Sequence, residues 1–211
     1  MGGGLAAGAP RDDLRLLDPI LTTQLLAAAT LREHARGAVL EHDDDADTTG
    51  TPLRLVSSGL LALLAHDPDP RPVALFGPGQ AILPIRPMGR WTLTALGVSN
   101  VHDVPDSALA VLVEKPTFTA WHTMIAEASA KRSLDLIAAM GTPDAGERLV
   151  RLVQTVGTPM AAGRYRWPLT QAQFAALAGL SRAHLNARLA DLRKQGRLAI
   201  SDRVAETGAT P

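Results

Sequence analysis

The 211-residue chain contains no cysteine. That excludes disulfides, thiolate zinc sites and cysteinyl iron–sulfur clusters, and it accords with a reducing, cytoplasmic setting. Aromatic residues are scarce, with three Trp, three Phe and one Tyr, while 46% of the chain is apolar. Any core is therefore largely aliphatic. No uninterrupted apolar run approaches the roughly 18 residues a membrane-spanning helix needs, so no membrane partner is expected. The opening MGGGLAAGAP lacks the basic region of a signal peptide. No Gly-Lys-Ser/Thr follows a Gly-rich loop, no G-x-S-x-G is present, and no catalytic triad is legible. An enzyme is not expected.

Net charge is also absent, since 21 Lys and Arg balance 21 Asp and Glu. The balance conceals an asymmetry. Residues 151–211 carry nine basic side chains against three acidic ones. The rest of the chain carries the compensating acidic excess. A basic segment joined to an acidic one suggests that the C-terminal part meets a polyanion.

Residues 1–13 are rich in Gly and Ala and predict a flexible N-terminus. Asp18 and Pro19 suit the N-cap and first position of a helix carrying Ile20, Leu21, Leu25 and Leu26. From 31 to 104 short apolar runs alternate with turn residues: Ala38–Leu40, Pro52–Val56, Leu60–Leu64, Val73–Phe76, Trp91–Val98 and Val101–Val104. This spacing predicts an antiparallel barrel or roll. A short helix over Ser107–Glu114 follows. Residues 117–140 are free of Gly and Pro and predict the longest helix, with Phe118, Trp121, Ile125 and Ala128 on one face. That stripe predicts an interhelical seam; apolar seams on both sides of the helix predict that it packs on its own roll and on a second copy, with Ile125 and Ala128 as seam members. Asp144 caps a further helix, and Gly157–Gly163 reads as a linker.

The strongest signal lies in Pro168–Leu198. Thr170 and Gln173 form a capping-box pair. Phe174, Leu177 and Ala178 give the first helix its buried stripe, and Gly179 allows a tight turn. Ser181 then caps a second helix, buried along Leu185, Leu189 and Leu192. Two short helices, a Gly turn and a Ser cap predict a helix-turn-helix. Arg182, Ala183, Asn186, Ala187 and Ala190 fall on the outward side. The small alanines permit close approach to DNA, while Arg182 suits guanine and Asn186 suits adenine. After Gly196, the run Arg197–Ile200 and Ser201-Asp202 predicts a strand and turn, a short wing.

With these residues the chain resembles the Crp/Fnr regulators of bacterial transcription. Leu180-Ser181-Arg182 through Leu192-Arg193 is similar to that family's recognition helix. Leu75-Phe76-Gly77-Pro78-Gly79-Gln80 is similar to its Gly-Pro-Gly turn, and Glu147-Arg148-Leu149 to the start of the helix before the DNA module. The resemblance implies an α+β fold: an antiparallel jelly-roll-like β-roll over 14–116, a dimerisation helix over 117–140, and a winged helix-turn-helix over 141–211. It implies a homodimer that binds palindromic promoter DNA, with RNA polymerase as a further partner. Thr170, Gln171, Ser181 and Lys194 are the expected phosphate contacts. Arg182, His184 and Asn186 are the expected base-edge readers, and Arg188 suits either role.

The chain departs from the family pattern in two places. Ala183 and Ala187 stand where recognition helices commonly carry Glu and Arg. The cyclic-nucleotide cassette, Gly-Glu-Leu and then Arg-Ser/Thr-Ala, is replaced by Leu83-Pro84-Ile85 and Gly89-Arg90-Trp91. The ribose-binding acid is missing, so a cyclic nucleotide is not expected and no cofactor is implied. Two alternatives stay open: a regulator sensing haem or another small molecule through the roll, and a module whose helix-turn-helix contacts protein. His34, His42, His66, His102 and His122 have no zinc-type spacing partners and read as ordinary surface or packing residues. Asp43-Asp44-Asp45-Ala46-Asp47 lacks the Gly and Glu of a calcium loop, with Thr48 and Arg54 in their places.

Overall fold

Short alternating strands bounded by turn residues account for the first half of the chain. The computed structural model describes residues 13, 19–42, 53–66, 70–83, 90–161, 163–201 and 204–208. Two units are present, one holding Asp12–Ser133 and the other Leu134–Pro211.

The first unit begins with α1 (Pro19–Ala28) and continues through β1 (Thr30–His34), β2 (Val39–His42), β3 (Leu53–Ser58), β4 (Leu61–His66), β5 (Pro70–Phe76), β6 (Ala81–Ile82), β7 (Trp91–Ala95) and β8 (Ser99–Val104). These strands form two four-stranded sheets, ordered β1-β8-β3-β6 and β2-β7-β4-β5. All their pairings are antiparallel. Strand β7 shows the cause most clearly: Trp91, Leu93 and Ala95 are buried while Thr92 and Thr94 are half-buried, the period of a pleated strand. At the β3–β4 turn Gly59 has φ +88°, and a Cβ there would lie 2.2 Å from Ser99 Oγ. Only glycine fits. Sequence patterning misses β1, whose first four residues are exposed, and β6, which is only two residues long.

One cluster, including Val56, Leu61, Phe76, Trp91, Leu93 and Val101, fills the space between the sheets. A second joins Leu21 and Leu25 of α1, Leu53 and Leu55 of β3, Leu112 of α2 (Asp106–Leu112), and Phe118, Trp121 and Ile125 of α3 (Pro116–Met140). This corrects the expectation for α3. Ile125 is not a seam residue for a second copy: with Phe118 and Trp121 it belongs to the core of the roll, where it is 0% exposed, so the expected packing on the roll takes up this stripe. An apolar helical stripe is drawn to whichever large apolar surface lies beside it, and helical spacing does not name that surface.

Arg54 of β3 is buried and links the two sheets. It pairs with Glu41 of β2, and its Nε lies 3.3 Å from Asp103 Oδ1 on β8. A buried guanidinium between two carboxylates is tolerated because each charge has a partner. The acidic run Asp43–Asp47, the cap residue Asp18 and cassette residues 84–89 lie outside the described residues; Arg90 is exposed.

The second unit contains α4 (Ala145–Val156), β9 (Thr158–Ala161), β10 (Arg164–Arg166), α5 (Gln171–Leu177), α6 (Arg182–Lys194), β11 (Leu198–Ser201) and β12 (Val204–Thr207). Its sheet has the order β11-β12-β10-β9. Gly157–Gly163 is therefore no linker, since most of it is strand β9. Pro159 is accommodated because β9 is an edge strand, where a missing N–H costs little. The expected wing is half of a four-stranded sheet. Leu149, Leu152 and Val153 of α4 are buried with Phe174, Leu185, Leu192 and Leu198. The Trp167 and Phe174 rings lie 4.6 Å apart at 58°. Among the described residues, no helix is long and apolar enough to cross a membrane.

Candidate nucleic-acid interface

The helix-turn-helix is assembled from local hydrogen bonds. Thr170 Oγ1 accepts from the Gln173 N–H at 3.3 Å, and the Gln173 Oε1 accepts from the Thr170 N–H at 2.9 Å. This reciprocal pair closes the start of α5 as the spacing predicted. The chain then turns through Gly179, at φ +66°. The Leu180 N–H donates to the Ala175 carbonyl at 2.9 Å, which ends α5. Ser181 follows as the N-cap of α6, its Oγ accepting from the His184 N–H at 3.2 Å. Leu185 and Leu192 bury one side of α6.

Arg148 of α4 holds this turn in place. Its Nη1 donates to the Ala178 carbonyl at 2.7 Å, its Nε to Thr142 at 2.8 Å and its Nη2 to Pro143 at 3.1 Å. Those carbonyls follow helix ends and would otherwise lack intrahelical partners. Sequence reasoning missed this role. Arg148 was legible as part of a helix start, but nothing in its neighbours names a carbonyl thirty residues away.

The eight residues expected to touch DNA, Thr170, Gln171, Ser181, Arg182, His184, Asn186, Arg188 and Lys194, are all exposed. They do not share one surface. On a helix of 3.6 residues per turn, Arg182, Asn186 and Arg193 fall on one flank of α6, and His184 and Arg188 on the other. Ala183, Ala187, Ala190 and Lys194 face directly away from the buried Leu185. A shallow cleft of about 440 Å³ lies beside the first flank, lined by Gln171, Asn186, Leu189, Ala190, Arg193, Lys194, Ala199 and Ile200. It brings together Gln171, Asn186 and Lys194. Arg182, His184, Arg188, Ser181 and Thr170 lie outside it. Arg193, absent from the expected contacts, belongs to it. The Thr170 hydroxyl also donates to Gln173 Oε1 at 3.0 Å, so its proton is already committed within the cap.

The cations of this unit divide into two groups. Arg197 Nη2 lies 2.7 Å from Glu147, Arg151 Nε 3.1 Å from the same carboxylate, and Arg164 Nε 3.0 Å from Glu206. By contrast, Arg182, Arg188, Arg193 and Lys194 have no ion pair among the described residues. The paired arginines lie on α4, on β10 and just before β11; Arg148 and Arg166 also have no ion pair among the described residues, but the unpaired cations are concentrated on α6, which carries four of them. Arg193 and Lys194 occupy its last turn, where the helix dipole favours positive charge. Ser181 and the free N–H groups at the other end present the dipole's positive pole to an anion. Among the described residues, no group of three His, Asp or Glu side chains is placed to hold a metal ion.

No protein-family model and no curated protein matches this chain. Solved structures do. FixK2 from Bradyrhizobium japonicum is 18% identical, with a TM-score of 0.67 covering 85% of this chain and 92% of that one. CLP, a c-di-GMP-responsive global regulator from Xanthomonas campestris, is 19% identical, with a TM-score of 0.62 covering 92% and 100%. TTHB099, a CRP-family transcriptional regulator from Thermus thermophilus, is 16% identical, with a TM-score of 0.59 covering 83% and 91%. At these identities the likeness is one of architecture, and it matches the roll, long helix and helix-turn-helix described above: the chain has a Crp/Fnr-type fold.

Proposed function

We propose that this chain is a homodimeric, sequence-specific DNA-binding transcription regulator that works without a cyclic nucleotide. The observation that carries the proposal is the charge of α6, on which four cations with no ion pair among the described residues are concentrated. Placed in a major groove about 12 Å wide, α6 would approach along Ala183, Ala187 and Ala190 with both flanks against the groove walls. Arg182, Asn186 and His184 are assigned to base edges, and Ser181, Gln171, Thr170 and Lys194 to phosphates. Arg188 serves either. In this proposal residues 14–116 form a sensor-like roll, 117–140 the pairing helix and 141–211 the DNA-binding part. No catalytic step is involved.

The pairing face of α3 differs from the one its large apolar residues suggest. Thr117, Ala120, Met124, Glu127 and Lys131 are exposed and recur at alternating intervals of three and four, a heptad spacing. Leu134 and Ala138 continue that spacing. To read one two-fold symmetric site, the two recognition helices of such a dimer would lie about one DNA turn, roughly 34 Å, apart.

Selecting duplexes from random DNA with the purified protein, then titrating the winners against salt, tests the proposal. The expected result is a two-fold symmetric site bound with steep salt dependence. Binding that ignores sequence, or no salt-sensitive binding, would overturn it. Titrating cyclic AMP or cyclic GMP by calorimetry is expected to give no saturable heat, because Leu83-Pro84-Ile85 supplies no acid for a ribose. Saturable binding that also raises affinity for the selected duplex would refute ligand independence.

A further inference from the structure

Asp13 departs from the flexible N-terminus expected over 1–13: it is 0% exposed. Among the described residues it is the one acidic residue that is buried. Three N–H groups converge on its carboxylate. Oδ2 accepts from the Ala81 backbone at 3.0 Å and from Arg132 Nη2 at 3.1 Å, while Oδ1 accepts from Arg132 Nη1 at 3.2 Å. Its backbone is held as well. The Asp13 N–H donates to the Gly79 carbonyl at 2.6 Å, and its own carbonyl accepts from Trp121 Nε1 at 2.9 Å.

The donors come from distant parts of this unit. Ala81 opens β6 just after the Gly77–Gln80 turn, and Arg132 lies on α3, 119 residues from Asp13. Without the carboxylate, the Ala81 N–H would be buried with no acceptor and the Arg132 guanidinium would lose its counter-charge, both costly states. Arg132 is 19% exposed along its side chain, and its Nε is buried with no hydrogen-bond partner. Two guanidinium N–H groups in a parallel fork, joined by a backbone N–H, have the geometry that grips a planar carboxylate.

We propose that Ala81 N–H and Arg132 form a binding site for a small carboxylate, and that the chain fills this site with its own Asp13. The occupant fastens α3 to the turn after β5, a link that in its absence would need a diffusible anion. Substituting Asp13→Ala removes the carboxylate and leaves a space of about the size and charge preference of formate. The site takes formate in that variant and is closed to it in the parent.

The test is a thermal melt of the full chain in sodium formate against sodium chloride at equal ionic strength. Asp13→Ala is expected to melt lower than the parent in chloride, and to recover in a saturable way with formate. Neither the parent nor the double variant Asp13→Ala/Arg132→Gln should gain from formate. Equal gains in all three proteins, or no gain in Asp13→Ala, would overturn the proposal. Should Asp13→Ala fail to fold, Asp13→Asn keeps the shape and removes the charge. It is expected to melt below the parent, and an unchanged melt would equally overturn the proposal. Every arm is read without DNA, so its outcome stands apart from that of the DNA-binding proposal.

Discussion

In the roll, Arg54 is 6% exposed and lies between Glu41 and Asp103, and Asp13 is enclosed by Ala81, Trp121 and Arg132. On α6, Arg182, Arg188, Arg193 and Lys194 face solvent with no ion pair among the described residues. Both regions contain arginine, but each uses it differently. Inside the roll a guanidinium is bound by its carboxylates and holds the two sheets together. On α6 the same group keeps its charge un-neutralised, and such a charge on a rigid helix attracts phosphate. A count of basic residues would treat the two regions alike. The location of the matching carboxylates separates them.

This contrast can be broken by substitution, and the largest effect is expected inside the roll. Arg54→Ala removes the buried guanidinium shared by Glu41 and Asp103, with Asp103 keeping Arg32 at 3.3 Å, at a cost of about 3 kcal/mol. Chemical denaturation should show that loss, while Arg188→Ala should change stability by no more than about 0.5 kcal/mol. Equal effects would mean that Arg54 is not a structural ion.

Next comes the support beneath α6. Leu185 is 0% exposed, so Leu185→Ala should cost about 2–5 kcal/mol through lost burial and a cavity. Its signature is weakened binding to selected and scrambled duplexes alike, together with a lower melting temperature. A variant that melted normally yet bound poorly would mean that Leu185 does not act through packing.

Arg182→Ala sharpens the comparison from the exposed side. Stability should hold, while affinity for a selected duplex falls by roughly 1–3 kcal/mol per half-site and preference relaxes at one base pair. Equal loss on selected and scrambled DNA would make Arg182 a phosphate contact. The smallest effect is expected for Lys194→Ala. It should weaken all duplexes about equally and lower the salt slope by roughly 1 per subunit. A change in base preference would move Lys194 into the base-reading set.

Much of the C-terminal unit was legible because its signals are local. A cap and its partner stand three residues apart, as with Thr170 and Gln173 or Ser181 and His184, so composition and spacing suffice to place both helices. Gly157–Gly163 was misread because Gly and Pro mark linkers and edge strands alike. Choosing between them requires knowing that β10 lies alongside. The α3 seam was misplaced for a related reason. Helical spacing puts Phe118, Trp121 and Ile125 on one face, but only packing against α1 and β3 shows that this face is already covered.

By itself, then, the amino-acid order determined the features whose partners lie within a few residues: helix caps, the Gly179 turn, strand alternation, and the basic excess after residue 150. Tertiary structure decided the rest. It buried Arg54 and left Arg182 exposed, set Arg148 on the carbonyl of Ala178, and carried Asp13 to Ala81 and Arg132. A charged side chain has the same chemistry wherever it stands. Whether it stabilises the fold or awaits a ligand depends on which opposite charges, far away in the chain, folding brings within hydrogen-bonding distance.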